Sequence, residues 1–223
     1  RVNRATGVVA GASLLSRILG YVRDMVMAYF FGAGLAADAF IAAFRIPNLL
    51  RRLFGEGSLS IAFVPVFSEV LTREGRRDAY ALAGAAMGLL SLVVVAVALL
   101  GVVASPLIIR LVAPGFVDDP AKMALTVLLT RIMFPYICFV ALVALCMGIL
   151  NVLGHFAAPA LAPVFLNLAM IISAFVAANI SPDPTVRVIG LAVGVLVGGL
   201  LQLILQLPPL VARGMRFWRE LRL

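Results

Sequence analysis

The segment from Ala79 to Ile109 reads AYALAGAAMGLLSLVVVAVALLGVVASPLII and contains no charged side chain. An apolar segment of this length predicts a membrane helix, since about 20 helical residues cross a hydrocarbon layer of about 30 Å. Backbone N–H and C=O groups find no water in that layer, so they must bond to one another within a helix. The segment therefore predicts an α-helix surrounded by lipid.

The rest of the chain has the same apolar character. Of its 223 residues, 64% are hydrophobic and 13% are charged, and the mean hydropathy is +1.14. Soluble globular proteins carry about 25% charged residues, and their cores cannot absorb this much apolar surface. The net charge of +8 would suggest nucleic acid in a soluble protein, but in a membrane protein the placement of the basic residues matters more. No nucleic-acid partner is expected.

Turn-forming residues divide the chain into apolar segments, which predict an all-α, polytopic membrane protein with six transmembrane helices in one bundle. The second helix would be about 50 Å long at 1.5 Å per residue, so it is expected to tilt, protrude or bend, with Pro47 and Pro65 as bending points. The predicted helices span residues 6–31, 36–69, 79–109, 121–152, 159–180 and 188–211.

Glycines recur at four-residue spacing in the last predicted helix, at Gly190, Gly194 and Gly198. Small residues at this spacing let two membrane helices approach closely, which favours tight packing. A sliding surface between helices is the alternative.

Basic residues are distributed unevenly between the two ends of the predicted bundle. Nine lie on the side of the termini and three on the other side. Because basic residues in short loops stay in the cytoplasm, both termini are expected there. The nine are Arg1, Arg4, Arg73, Arg76, Arg77, Arg213, Arg216, Arg219 and Arg222, and the three are Arg110, Lys122 and Arg187.

Catalytic motifs find little support in this sequence. The single histidine, His155, falls in a predicted loop, and Cys138 and Cys146 share one predicted helix without metal-ligand spacing. The single lysine, Lys122, is not preceded by the glycine pattern of a phosphate loop. The sequence therefore predicts a protein that is not an enzyme and that needs no metal or cofactor.

Charged residues within or near the predicted spans carry a positive surplus. Six arginines occur there with three acids, a balance of +3. An arginine at the bilayer centre costs at least about 2.5 kcal/mol on insertion scales, so these side chains need partners, water or a ligand. The arginines are Arg17, Arg23, Arg45, Arg51, Arg52 and Arg131, and the acids are Asp24, Asp38 and Glu56.

The charges of the first two helices also follow a spacing. Arg17 and Asp24 are seven residues apart on the first helix, and Asp38, Arg45 and Arg52 repeat that spacing on the second. Seven residues make nearly two helical turns, so each set lies on one face of its helix. These two faces are predicted to lie opposite each other.

Two explanations of these charges are compatible with the sequence. Internal salt bridges, such as Arg17 to Asp24 and Arg52 to Glu56, would staple the first two helices together. An anionic ligand would instead compensate the arginines that pairing leaves over. Since guanidinium groups bind phosphate bidentately, a phosphate or diphosphate is favoured over a carboxylate.

The charged segments resemble one transporter family. Residues 16–24, SRILGYVRD, are similar to the first-helix signature of the MurJ (MviN) lipid II flippases, which belong to the MOP superfamily. The similarity runs the whole chain. It includes FGAG (31–34), ADAF (37–40), IPNLLRRLFGEG (46–57), APGF (113–116) and FPY (134–136).

The resemblance implies a protein of the bacterial inner membrane that takes part in peptidoglycan and cell wall biogenesis. It implies that lipid II, the undecaprenyl-diphosphate-linked precursor, is moved from the cytoplasmic to the periplasmic leaflet by alternating access. By motif match, Arg17, Arg23 and Arg51 take the positions of the family's cavity arginines, which face the diphosphate.

Further residues receive roles by the same motif match. Asp24, Asp38 and Glu56, together with Arg52, are implied to be gating or salt-bridge residues. Pro159 falls where the family has a proline near a cytoplasmic loop, and with Pro47 it is expected to bend its helix.

Members of the family have two six-helix lobes and additional helices, so residues 1–223 are expected to correspond to the N-terminal lobe. The expected partners are lipid II, membrane lipids and a C-terminal lobe in the same or another chain. Two other functions are compatible with the residues. One is a different MOP-type exporter, for a drug or a polyprenyl-linked saccharide, and the other is a membrane scaffold that transports nothing.

Overall fold

The computed structural model describes residues 2–56 and 58–215, with the side chains of residues 6–51, 53 and 61–215. The regular structure of these residues consists of eight α-helices and one short 3-10 turn, Pro114–Phe116. The helices are α1 (Val2–Phe31), α2 (Leu35–Glu56), α3 (Ser58–Arg73), α4 (Arg76–Val112), α5 (Pro120–Met133), α6 (Tyr136–Val152), α7 (Ala157–Ile180) and α8 (Pro184–Ala212).

The all-α class predicted from the sequence is confirmed, but the number of six helices is wrong. The second predicted helix, 36–69, is divided into α2 and α3, and the fourth, 121–152, is divided into α5 and α6. If the turn between α5 and α6 is counted as a kink within one helix, the described residues form seven helices.

Pro135 explains the division between α5 and α6. Proline has no N–H, so the carbonyl of Arg131 loses its helical partner. The backbone tightens instead, with the Ile137 N–H donating to the Phe134 carbonyl at 3.1 Å and the Cys138 N–H donating to the Pro135 carbonyl at 3.0 Å. The apolar pattern continues through this turn, which is why the sequence predicts one helix.

The division between α2 and α3 does not fall at a proline. α2 ends at Glu56, which stands between Gly55 and Gly57 in the sequence. Glycine is a weak helix former, and two of them around one residue favour an end there. The prolines that mark bending points in the sequence, Pro47 and Pro65, both lie inside helices, in α2 and α3.

Four of the six predicted membrane spans appear as helices that are long and apolar enough to cross a membrane. They are α4, α5 with α6 taken together, α7 and α8, with window hydropathies from 2.2 to 2.9. α3 has 16 residues, and at 1.5 Å per residue its length of about 24 Å is less than the hydrocarbon thickness. α1 and α2 carry charged residues, which lower their apolarity.

The glycines of α8 allow a close approach to α7. A Cβ atom at Gly194 would lie 2.3 Å from the Oγ of Ser173, and one at Gly190 would lie 2.7 Å from the Cβ of Ala177. Any side chain would therefore separate the two helices. The tight packing that the glycine spacing predicts is confirmed for the face of α7 that meets α8.

α1 and α2 are held by different neighbours. α1 packs against α7, whereas α2 packs against α5 and α6. Within the described residues, α1 and α2 make only slight direct contact. The space between them is an open groove, here called the α1–α2 groove, into which both helices present charged side chains.

Candidate anion-binding cavity

A cavity of about 340 Å³ lies in the α1–α2 groove, where α7 closes one wall. Arg17 and Arg23 of α1 and Arg51 of α2 line it, and no carboxylate is among its described lining residues. The structure thus brings together the three residues to which the sequence assigns substrate binding, and this space is here called the arginine cavity. Its lining is Ser16, Arg17, Gly20, Arg23, Phe44, Asn48, Arg51, Pro163, Leu166 and Asn167.

Arg23 is held from two sides. Its Nη1 donates to the Oδ1 of Asn167 at 3.0 Å, while its Nε and Nη2 donate to the Oδ1 of Asp24 at 3.0 and 2.8 Å. Asn167 is only 6% exposed, and its Nδ2 donates to the backbone carbonyl of Ser16 at 3.1 Å. A buried amide of α7 therefore fixes both the backbone of α1 and the guanidinium of Arg23.

Arg51 is held by its own helix. Its Nε and Nη2 donate to the Oδ1 of Asn48, one turn earlier in α2, at 3.3 and 3.2 Å. Arg17 is exposed to the cavity, and no side chain among the described residues forms a hydrogen bond or an ion pair with it. Neither arginine has a carboxylate partner within that part of the chain.

The arginine cavity is cationic. Within the described residues, one acid pairs with an arginine of the cavity. It is Asp24, whose side chain is 65% exposed and which pairs with Arg23. Three positive charges against one negative charge leave a local charge of +2. At an effective dielectric constant of about 20, a unit charge at about 4 Å interacts with another by about 4 kcal/mol, so this surplus favours a multivalent anion.

The charged faces of α1 and α2 meet at a second cavity further along the groove. Arg23 and Asp24 of α1 and Arg45 of α2 line this space of about 220 Å³. The prediction that the two faces lie opposite each other is therefore confirmed for Asp24 and Arg45, whereas Arg23 does not belong to either predicted face.

The salt bridge proposed from Arg17 to Asp24 is not formed. Asp24 pairs with Arg23, with 2.8 Å between the Nη2 and Oδ1 atoms. Seven residues advance a helix by about 10.5 Å, which is too far for an ion pair within one helix. The adjacent Arg23 reaches the carboxylate instead.

Asp38 forms an ion pair that joins two helices. The Nζ of Lys122 lies 2.6 Å from its Oδ2, and the same ammonium lies 4.2 Å from the centre of the Phe116 ring. Lys122 is at the start of α5, where the side chain of Asp119 accepts hydrogen bonds from the first backbone N–H groups. The pair ties the start of α2 to the start of α5.

Arg52 and Glu56 are the two remaining charged residues with an assigned role. Their side chains lie outside the described residues, so their salt bridge and their gating role stay predictions. Their backbones belong to the last turns of α2.

The two prolines expected to bend helices occupy different positions. Pro47 is buried inside α2, directly before Asn48. Pro159 is buried in the first turn of α7, where a residue without an N–H removes no helical hydrogen bond. Bending at either residue stays a prediction.

Sequence reasoning missed the uncharged and the distant members of these sites. Asn48 lies within a quoted motif without an assigned role, and Asn167 and the partnership of Lys122 with Asp38 were not predicted. Asn167 is 144 residues from Arg23, and Lys122 is 84 residues from Asp38. The one available signal was the presence of asparagines in otherwise apolar helices, where an amide needs a buried partner.

Comparisons with known proteins agree on one family. The sequence profile described as "Lipid II flippase MurJ" matches residues 27–222. The probable lipid II flippase MurJ of Rhizobium tropici is 45% identical over 196 residues, which cover 87% of this chain and 37% of the relative. The lipid II flippase MurJ of Burkholderia cenocepacia is 43% identical over 207 residues, and the probable one of Vibrio cholerae is 44% identical over 214 residues. Both alignments cover 93% of this chain and 40% of the relative.

A solved structure shares the fold. The structure titled "Lipid II flippase MurJ, inward closed conformation" superposes with a TM-score of 0.76 at 30% sequence identity. The match covers 92% of this chain and 42% of that chain. This chain thus spans about two fifths of the length of the relatives that it matches.

Proposed function

Because the chain belongs to the lipid II flippase MurJ family, we propose that its arginine cavity binds the diphosphate of lipid II during transfer between the leaflets of the membrane. The observation that carries this proposal is the convergence of Arg17, Arg23 and Arg51 on one cavity without a lining carboxylate. The transfer breaks no covalent bond, so the role proposed is that of a transporter rather than an enzyme.

The chemistry of the cavity suits a diphosphate. Guanidinium groups present paired N–H donors that match two oxygens of one phosphate, and they stay charged at any physiological pH. A diphosphate diester carries two negative charges, which balance the local surplus of +2. A volume of about 340 Å³ lies at the lower end of the range for ligand sites, so the cavity holds part of the head group.

The α1–α2 groove gives the lipid a route. A diphosphate cannot enter the hydrocarbon layer alone because an unpaired ion there costs many kilocalories per mole. The cationic lining of the groove offers compensation at membrane depth. Since α1 and α2 pack mainly on different neighbours, direct packing between them does not close the groove.

The remaining parts of the proposal concern placement. The protein is proposed to lie in the bacterial inner membrane with both termini in the cytoplasm, as the distribution of basic residues predicts. A second lobe, in the same or another chain, is proposed to face the α1–α2 groove and to complete the binding site. Membrane lipids are proposed to surround the apolar side chains that are exposed on helices such as α4.

The test replaces the cavity arginines one at a time in a full-length flippase that carries this sequence. R17A, R23A and R51A are each expected to abolish growth of a strain depleted of its own flippase, at an unchanged protein level in the membrane. Each removes charge that compensates the anion where water is scarce.

R110A is the matched control, because Arg110 is exposed in the last turn of α4 and outside the arginine cavity. It is expected to support growth. Full growth from all three cavity variants would contradict the proposal.

A further inference from the structure

Two of the three cavity arginines are oriented by asparagine side chains. The Oδ1 of Asn48 accepts hydrogen bonds from both the Nε and the Nη2 of Arg51. The Oδ1 of Asn167 accepts one from the Nη1 of Arg23. The amides come from different helices, α2 and α7, so two independent parts of the chain place an amide oxygen behind a guanidinium.

An amide oxygen accepts a hydrogen bond in the same geometry as a carboxylate oxygen but carries no net charge. A carboxylate in its place would bind the guanidinium more strongly and would also cancel its charge. Amide partners therefore fix the direction of the guanidinium groups while their positive charge stays available to a ligand.

The donors left over are sufficient for a ligand. A guanidinium has five N–H donors. Arg51 directs its Nε and Nη2 to Asn48, so its Nη1 forms no hydrogen bond within the described residues. Arg51 thus combines a fixed orientation with free donors on the same plane.

The chain uses carboxylates where a cation is to be neutralised. Lys122 lies 2.6 Å from Asp38 at the junction of α2 and α5, and that pair lines a different cavity from the arginines. The contrast between this ion-paired ammonium and the guanidinium of Arg51, which an amide holds, separates two uses of a cation on the same helix, α2.

We propose that Asn48 and Asn167 are positioning residues, which hold Arg51 and Arg23 toward the substrate without adding a negative charge of their own. Within the described residues Arg51 has no carboxylate partner, whereas Arg23 also pairs with the exposed carboxylate of Asp24. This inference rests on the proposed function, because it concerns how the same arginine cavity binds an anionic head group. Anion affinity then depends on the two amides being uncharged, and not only on the hydrogen bonds that they accept.

The test exploits the equal shape of asparagine and aspartate. In N48D, one oxygen still accepts from Arg51, and the other replaces an amide nitrogen that makes no hydrogen bond within the described residues. Saturation binding of radiolabelled lipid II to the full-length flippase in phosphatidylcholine nanodiscs gives the Kd, and thermal unfolding gives the Tm. We expect N48D to raise the Kd roughly tenfold or more with an unchanged Tm.

Two further variants separate charge from shape. N48A removes the hold on Arg51 but adds no charge, and it is expected to raise the Kd only about two- to fivefold. N179D adds the same charge at Asn179, which is exposed near the end of α7 and bonds within its own helix. Its Kd is expected to equal that of the wild type.

The outcomes distinguish this inference from the proposed function. The inference is overturned, and the proposed function stands, if R51A raises the Kd for lipid II but N48D leaves it at the wild-type value. The same holds if N48A and N48D raise the Kd by the same factor. If the wild type shows no saturable binding, or if R51A has no effect, both are overturned. Should N48D unfold, N48E and N48Q provide the comparison at the same position, because glutamate and glutamine share one shape and differ in charge.

Discussion

The ion pairs formed by Asp24 of α1 and Asp38 of α2 perform different structural tasks. Arg23 and Asp24 are neighbours in the sequence, so their contact orders a side chain but joins no elements. Lys122 and Asp38 are 84 residues apart, and their contact joins α5 to α2. The side chain of Lys122 is 19% exposed and its ammonium lies over Phe116, so solvent screens the pair less than an ordinary surface pair.

A double-mutant cycle measures the Lys122 pair. D38N and K122M are each expected to lower the free energy of unfolding, with a coupling energy of about 1 kcal/mol between them. Thermal unfolding in one detergent gives the three differences. The exposed Glu69 and Arg73 of α3 form a control pair, and E69Q with R73M is expected to couple by about 0.3 kcal/mol. Equal coupling energies in both pairs would show that the Lys122–Asp38 pair stabilises the contact of α2 with α5 no more than an ordinary surface pair would.

At the scale of the elements, α7 links the bundle to the arginine cavity. Its one face packs against α8 through glycines, and its other face meets α1, where Asn167 bonds to Ser16 and Arg23. A shift of α7 would therefore move the guanidinium of Arg23. Close helix packing and the geometry of the cavity are coupled through this helix.

The substitution G194A tests that close packing. The new Cβ atom would lie 2.3 Å from the Oγ of Ser173, so α7 and α8 must separate. Overpacking of this kind is expected to lower the free energy of unfolding by about 1–3 kcal/mol. G11A is the control, since a Cβ atom at Gly11 meets nothing within 4 Å and alanine favours a helix. The explanation fails if the two variants unfold at the same temperature.

At the scale of the whole molecule, the bundle is asymmetric. α2 and α5 to α8 enclose one hydrophobic core, and α3, α4, α6 and α8 contribute to a second one. α1 lies at the edge, held mainly by α7. The cationic groove is consequently a boundary of this bundle and not its centre, which agrees with the proposal that a second lobe closes it.

Reporter fusions test the orientation proposed for this bundle. Alkaline phosphatase, which is active outside the cytoplasm, is expected to be active when fused after Asp118 or Asp183 and inactive when fused after Glu74. Green fluorescent protein is expected to show the reverse. The reason is the excess of basic residues on the side of the termini. Active phosphatase at Glu74 would invert the orientation.

Much of the fold was predictable because it depends on consecutive residues. Apolar length predicted α4, α7 and α8, and their bounds differ from the predicted ones by a few residues at most. The turn at Pro135 was predicted as part of one helix, 121–152, because the apolar pattern runs on through it. The end of α2 at Glu56 was missed because Gly55 and Gly57 were counted inside one long helix, 36–69. The three cavity arginines were found through charge in an apolar context and through a family motif. Asn48 lay in that motif without an assigned role, and Asn167 carried neither signal.

The sequence by itself determined that the chain is a helical membrane protein with a surplus of arginine in its first two helices, because hydropathy and charge are properties of consecutive residues. Only the tertiary structure decided that Arg17, Arg23 and Arg51 share a cavity. It also decided that α1 packs against α7 rather than α2, and that Asp38 pairs with Lys122. Contacts across 84 or 144 residues depend on how helices pack, and packing depends on all the helices together.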